Sequence, residues 1–220
     1  MIGKTFQRMV MIVVMVLLGV SCAHYTVVKK YIQPPFDHAF IKKIAVVEFS
    51  NYSNRYDAGR VVADRIEQEL VSRSDYEVIS RMQLSHILRE HRLSTKGILS
   101  PSTVRRIGKL AGVDALVVGN VEKYQLTTRS WDKRYPGETV KVYKKEALIV
   151  FTFKLLNTTT GQVVYANTSR GIWWREAGER NLDFLEKESD YEYMEIALKD
   201  AMYLVQFIYP HYRYDRVRVK

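Results

Sequence analysis

The sequence predicts an α/β fold with a mixed parallel and antiparallel sheet and flanking helices, a single three-layer-like domain. Three features carry this expectation. An apolar strand at 43–49 is followed by an amphipathic helix. A second strand, two helices and a third strand come next. A pair of long strands joined by a tight turn then precedes a final helix.

Residues 1–21 read as an export signal. Lys4 and Arg8 form a positive n-region, and Met9 to Val20 is an apolar run broken by Gly19. That run falls short of the about 20 apolar residues a membrane-spanning helix needs. Leu18-Gly19-Val20-Ser21-Cys22 resembles the lipobox of bacterial lipoproteins, which implies cleavage before Cys22 and lipidation of its thiol, the alternative being an ordinary secretory signal. Gly19 stands where that motif usually has Leu, Val or Ile. Cys22 is the single cysteine of the chain, so the exported body is expected to have no internal disulfide and to rely on its core.

Residues 22–40 contain Pro34-Pro35 and Lys29-Lys30 without a sustained apolar period, and read as a tether. The alternative is a strap in which Tyr25, Tyr31, Ile32 and Phe36 bury their side chains. The domain proper is placed at 41–209. Lys43 to Phe49 is a strand apolar enough to be buried on both faces. The polar loop 50–56 leads to Asp57, placed to cap a helix over 58–73 with Val61, Val62, Ile66, Leu70 and Val71 at helical spacing. Tyr76 to Ile79 is a short strand, and Ser80 opens a helix toward Arg92. Residues 93–99 are a loop. Pro101, with Ser100 or Ser102 as cap, starts a third helix that stops at Gly112.

Asp114 to Val121 is a third apolar strand. Val140 to Leu156 pairs as a hairpin with 162–174 around Thr158-Thr159-Thr160-Gly161. A last helix is expected over Tyr191 to Tyr209, with Pro210 ending it. Residues 210–220 form a basic aromatic tail that either binds an anionic surface or frays into solvent.

The chain has 34 Lys and Arg against 24 Asp and Glu, a net charge of +10; loss of Lys4 and Arg8 with the signal leaves +8. An exported, tethered domain does not meet nucleic acid, so the expected counterparts are lipid headgroups, cell-wall polymer or an acidic protein. Catalysis and cofactors are not expected. No Gly-x-Ser-x-Gly, Ser-x-x-Lys or His-Glu-x-x-His motif is present. His86 and His91 are five residues apart, which does not set two imidazoles over one metal. Asp57, Asp64 and Glu67 read as a cap and solvated carboxylates rather than an acid pair. Trp131, Trp173 and Trp174 form either an exposed platform for sugar rings or a membrane interface, or are buried between sheet and helix.

Several stretches together resemble the curli-assembly lipoprotein family, CsgG-like. They are 44–51, the helix 58–70, Tyr76-Glu77-Val78-Ile79-Ser80-Arg81, Ile87 to Leu93, Ile107 to Gly119, and Leu156-Asn157-Thr158-Thr159-Thr160-Gly161. The resemblance spans about 42–170. It implies a periplasmic α/β domain, anchored in the outer membrane, from a family whose best-known member forms an export ring with two membrane hairpins per subunit. Here those hairpins would fall at 124–146 and 170–188. Both are crowded with charge, whereas a lipid-facing strand alternates apolar residues over about 9 to 11 positions.

The expected function is therefore that of a membrane-anchored, non-catalytic adaptor or assembly factor in envelope biogenesis or secretion, with self-association allowed. The alternatives are a subunit of an outer-membrane export channel and, after smaller relatives such as the LpoB-type activators, an activator of a peptidoglycan synthase. Cys22 is the expected lipid site. Asn51, Tyr52, Tyr56, Trp131, Tyr135, Trp173 and Trp174 are the expected partner-binding residues, because loops on a rigid scaffold carry recognition.

Overall fold

Alternation along the strand Lys43–Val46 (β2) organises the sheet. Ile44 and Val46 enter one buried cluster, Ala45 and Val47 the other, so both faces of this strand must be covered. The computed structural model describes residues 25–93 and 100–218. The expected signal at 1–21, Cys22 and most of the 93–99 loop lie outside them.

The elements that follow β2 are Ser50–Asn51 (β3), helix Ala58–Arg73 (α1), Glu77–Ile79 (β4), and helices Arg81–Glu90 (α2) and Pro101–Ala111 (α3). Next come Ala115–Tyr135 (β5), Glu138–Asn157 (β6) and Val163–Gly178 (β7). A 3-10 turn at Glu179–Asn181 and a short helix Asp183–Glu186 (α4) lead to helix Asp190–Ala201 (α5), which continues as a 3-10 segment, Met202–Ile208.

The sheet runs in the order β4-β2-β5-β6-β7, with β3 paired beside β5. The β2–β4, β2–β5 and β3–β5 pairs are parallel, and β5–β6 and β6–β7 are antiparallel, which is the mixed sheet the sequence predicts. Helices α1 and α5 cover one face, contributing Val62, Ile66, Leu70, Ala197 and Leu198 to the cluster of Ile44 and Val46. Helices α2 and α3 cover the other through Leu84, Leu88, Val104 and Ile107.

Local chemistry fixes the element ends. Ser80, Ser100 and Ser189 cap α2, α3 and α5, Ser189 within a capping box with Glu192. Gly112 ends α3 in the left-handed region, φ 63°. The Asn157 side-chain oxygen accepts from the N–H groups of Thr159 and Thr160 at 2.8 and 3.0 Å and folds the β6–β7 turn.

Four expectations need correction. The tether reading of 22–40 gives way to a strand, Tyr25–Ile32 (β1), which pairs with His211–Arg218 (β8) out of the expected tail to form a separate two-stranded sheet. Valines and tyrosines at alternate positions favour that pairing over a coil. Phe36 and Phe40 pack on the core, the Phe36 ring lying 5.7 Å from Tyr165, as the strap alternative expects of Phe36, whereas Tyr25 and Tyr31 stay 62 and 48% exposed.

Strand β5 does not stop near Val121 but continues to Tyr135, because β6 supplies partners to its end. Asp57 precedes α1 without capping it; its carboxylate is taken by Arg55 at 2.6 and 3.2 Å. The last helix leaves α geometry at Met202.

The larger unit, Gln33–His211, is tightest where α5 crosses β7. A Cβ at Gly171 would overlap the carbonyl oxygen of Ala197 and lie 2.5 Å from the backbone nitrogen of Ala201. Gly171→Ala is therefore expected to lower unfolding stability by about 1–3 kcal/mol, the cost of overpacking, as a shift in the urea midpoint. A midpoint equal to the parent's would show that α5 does not approach the strand this closely.

Candidate functional site

Pairing places every side chain of the β5–β6–β7 extension on one of two faces. Directly opposed residues share a face, and successive residues alternate. A bulge between Val121 and Lys123 resets the register, after which Tyr124 faces Ile149, Leu126 faces Ala147 and Ser130 faces Tyr143. This face, with Trp173, Arg175 and Ala177 of β7, looks toward α4 and α5. The opposite face carries Arg129, Trp131, Lys133 and Tyr135 of β5, Val140, Val142, Lys144 and Glu146 of β6, and Trp174 and Glu176 of β7.

No helix among the described residues covers that opposite face beyond the bulge. Helices α2 and α3 bury Leu116 and Leu156 at the near end of the sheet, and their cluster reaches no further along β5 than Val118. Trp131, Tyr135 and Trp174 stay 40, 47 and 49% exposed. Cations lie over two of these rings, Lys144 Nζ at 4.8 Å from the Trp174 centroid and Lys133 Nζ at 5.4 Å from Tyr135. Lys144 also pairs with Glu146 at 2.5 Å. The bare face is thus an aromatic and cationic strip flanked by carboxylates.

Trp173 belongs to the other side. Its Nε1–H donates to Glu188 at 3.1 Å, and Glu188 also binds the Arg175 guanidinium. Arg175 lies 5.6 Å from the Trp173 ring centroid and 4.9 Å from that of Phe184. The hydrogen bond from Arg175 holds the Glu188 carboxyl below the usual range, the Trp173 bond adds to it, and partial burial opposes both. Lys145 pairs with Asp190 at 2.7 Å on the same side. Together these contacts fasten the 179–190 segment to the sheet, so the three tryptophans do not form one platform.

The 51–56 loop is a second exposed region. The Asn51 side chain faces inward, accepting from Ser53 N–H and Oγ–H at 2.9 and 2.7 Å and donating to the Arg55 carbonyl at 2.5 Å. Tyr52 and Tyr56 are 72 and 93% exposed. Arg55 sits 4.9 Å from the Tyr124 centroid, and its pair with Asp57 draws that carboxyl below its ordinary value. The structure therefore presents Tyr52 and Tyr56 and makes Asn51 a turn-former. Among the described residues, no hydrogen bond or ion pair joins this loop to the Trp131 strip.

Asp64 and Glu67 share one cation, Arg81, which binds Asp64 and, at 3.2 Å, Glu67. No group of three His, Cys, Asp or Glu side chains among the described residues is arranged to hold a metal, and no described helix is long and apolar enough to cross a membrane. Sequence reasoning missed Arg175, Phe184 and Glu188, whose assembly depends on where 179–190 folds back. The split of Trp173 from Trp174 was legible, since neighbours on one strand face opposite ways.

The fold is a mixed α/β sheet covered by helices on both faces at one end and extended by strands of which one face, among the described residues, is bare of helices. The chain belongs to the family of CsgG, the curli production assembly/transport component, whose pattern it matches over residues 37–205. Among solved structures it is similar to the PelC dodecamer from Paraburkholderia phytofirmans, at 15% identity over 83% of this chain and 97% of that one, with a TM-score of 0.47. Lipoprotein GNA1162 from Neisseria meningitidis is similar at 13% identity over 66% and 92%, TM-score 0.43. The LpoB C-terminal domain from Escherichia coli is similar at 12% identity over 61% and 85%, TM-score 0.42. No curated protein sequence matches the chain.

The Glu188 lock is pH-dependent in a defined direction. Its folded-state value is depressed, so its contribution is complete above the ordinary carboxylate value and is lost as pH falls through the lower folded one. The stability difference between the parent and Glu188→Gln is expected to be full at neutral pH and to vanish in acid, read from urea midpoints. A difference unchanged from pH 7 to pH 3 would remove the charge from the explanation.

Proposed function

We propose that this protein is a non-catalytic, lipid-anchored component of envelope assembly or secretion. In this reading Cys22 carries the lipid, the domain faces the periplasm from the outer membrane, and the bare face of β5–β6–β7 docks a protein of the envelope machinery. Family membership supports the assembly role. The observation that carries the docking surface is the exposure of Trp131, Tyr135 and Trp174 on one uncovered sheet face among Arg129, Lys133 and Lys144. Half-exposed Trp and Tyr beside cations are the residue types that dominate binding energy when a partner excludes water from them.

A channel subunit is the second reading, and the length of the hairpin favours it. Lys123 to Tyr135 pairs without a break to Val150 through Glu138, longer than the 9–11 residues a spanning strand needs. Neither face is apolar. One presents Arg129, Lys133 and Lys144, the other Asp132, Arg134 and Lys141, and a midplane Lys or Arg costs roughly 2–4 kcal/mol on a lipid-facing position. The second expected membrane segment, 170–188, is strand β7 followed by a 3-10 turn and α4 rather than a hairpin. A peptidoglycan synthase is one identity for the docked partner, with this protein as its activator.

Photocrosslinking residues placed at Trp131 and Trp174 are expected to capture one common envelope protein in living cells, and Lys144→Glu is expected to cut the yield at least tenfold. The same crosslinker at Met82, exposed on α2, should not capture that protein. Equal yields from all three positions would remove this face from the function. Cys22→Ser should abolish incorporation of labelled fatty acid, and single-channel conductance from the purified protein would replace the adaptor reading by the channel one.

A further inference from the structure

The β1–β8 ribbon contains chemistry that the docking surface does not use. Five of its sixteen residues are Lys or Arg (Lys29, Lys30, Arg213, Arg216, Arg218), four are Tyr, and Asp215 alone is acidic. Alternation sorts them. Tyr31 lies 5.1 Å from Tyr212 and Lys29 Nζ lies 3.8 Å from the same ring centroid, so Tyr25, Val27, Lys29 and Tyr31 share a face with Tyr212, Tyr214 and Arg216. Asp215 falls on the other face, bound by Arg213 at 2.8 and 3.0 Å. One face therefore holds all four tyrosines and at least two cations, Lys29 and Arg216, without a carboxylate.

Those rings are open: Tyr25, Tyr31, Tyr212 and Tyr214 are 48–63% exposed, and Val27 is 59% exposed. The sheet has only these two strands, and such a ribbon is marginal alone in water. A surface that covers the rings and supplies negative charge would stabilise it. Position in the chain selects that surface. Tyr25 is three residues after Cys22, within about 11 Å of extended chain. A ribbon so near an acylated cysteine is held at the headgroup layer, where tyrosine concentrates and Lys and Arg are attracted to anionic lipid.

We propose that the tyrosine face of the β1–β8 ribbon is a second membrane contact, binding anionic phospholipid headgroups beside the lipid anchor. The placement rests on the proposed acylation of Cys22; the chemistry of the face does not. It makes the first segment after the anchor a docking element that fixes the chain at the surface instead of a free leash.

The test uses unacylated chain 23–220 and vesicles of phosphatidylcholine with or without phosphatidylglycerol. Cosedimentation should be at least tenfold stronger with the anionic vesicles, should weaken in salt, and should fall at least tenfold in Lys29→Glu/Arg216→Glu. Tyr31→Ser/Tyr212→Ser should bind less at unchanged ionic strength, with circular dichroism confirming an intact domain in both variants. Equal binding to both vesicle types, or anionic binding indifferent to Lys29 and Arg216, would overturn the proposal. Concentration-dependent self-association abolished by the same variants, without vesicle binding, would assign the face to a second copy and overturn it too. Because the acyl group is absent, failure of Cys22 acylation leaves this result standing, and failure here leaves the anchor standing.

Discussion

The pairing of β5 is the constraint on which the larger unit depends. Over Ala115–Val117 it is parallel to β2, and along nearly its whole length it is antiparallel to β6, so it joins the two halves of the sheet. Its entry is stapled: the Asp114 carboxylate accepts the N–H groups of Lys42 and Lys43, each at 2.8 Å, and Thr158 donates to the Val113 carbonyl at 2.5 Å. A slip of one residue between β2 and β5 would exchange Ile44 and Val46 with Ala45 and Val47, putting Ile44 under α2 and α3 and leaving only Ala45 in its place under α1. The staple opposes that slip and so holds Ile44 and Val46 on the α1 face and Ala45 and Val47 on the α2 and α3 face.

Beyond Val121 the sheet outlasts its helices on one side. The extension persists because β6 has partners on both edges, β5 to its end and β7 to Val142. On the α5 side the core is completed by Tyr124, Ala147, Ile149 and Tyr193, and the 179–190 segment is fastened over it by Glu188, Arg175 and Asp190. On the bare side the same strands carry Leu148 and Val142 low in the pleat, nearly buried by their neighbours, while Trp131 and Trp174 stand above them. A strand with one covered and one wet face normally alternates apolar with polar. Here aromatics take part of the wet face, and the docking proposal rests on that departure.

Periodicity made the framework legible because burial on two faces leaves a continuous apolar run. Lys43 to Phe49 and Asp114 to Val121 were readable for that reason, as were the serine caps and Gly112, whose local geometry needs no tertiary partner. The far half of β5 was not. Thr127 to Tyr135 is polar at most positions and is a strand only because β6 lies beside it, a long-range condition that no local pattern encodes. The ribbon was hidden for the same reason, its two strands being separated by almost the whole chain. Among the candidate site residues, Trp131, Tyr135 and Trp174 were reachable from side-chain type, and their shared face followed only once the register was known. The inward turn of Asn51 depends on Ser53 and Arg55 and had no separate signal.

The distribution of ion pairs gives the basic surface its meaning. Arg175, Lys145, Arg65 and Arg81 are matched by Glu188, Asp190, Glu195, Asp64 and Glu67, all on elements that pack against one another, so these charges are spent inside the fold. Partly exposed pairs of this kind contribute little energy each but fix orientation. The cations of the bare sheet face and of the tyrosine side of the ribbon, Arg129, Lys133, Lys29 and Arg216, instead accompany aromatic rings. Screening in salt erases a diffuse positive field within about 8 Å, whereas cations set beside rings act at contact. Part of the net positive charge is therefore set beside rings on two separate sheets, the β5–β6–β7 extension and the β1–β8 ribbon, the two faces proposed above as contact surfaces.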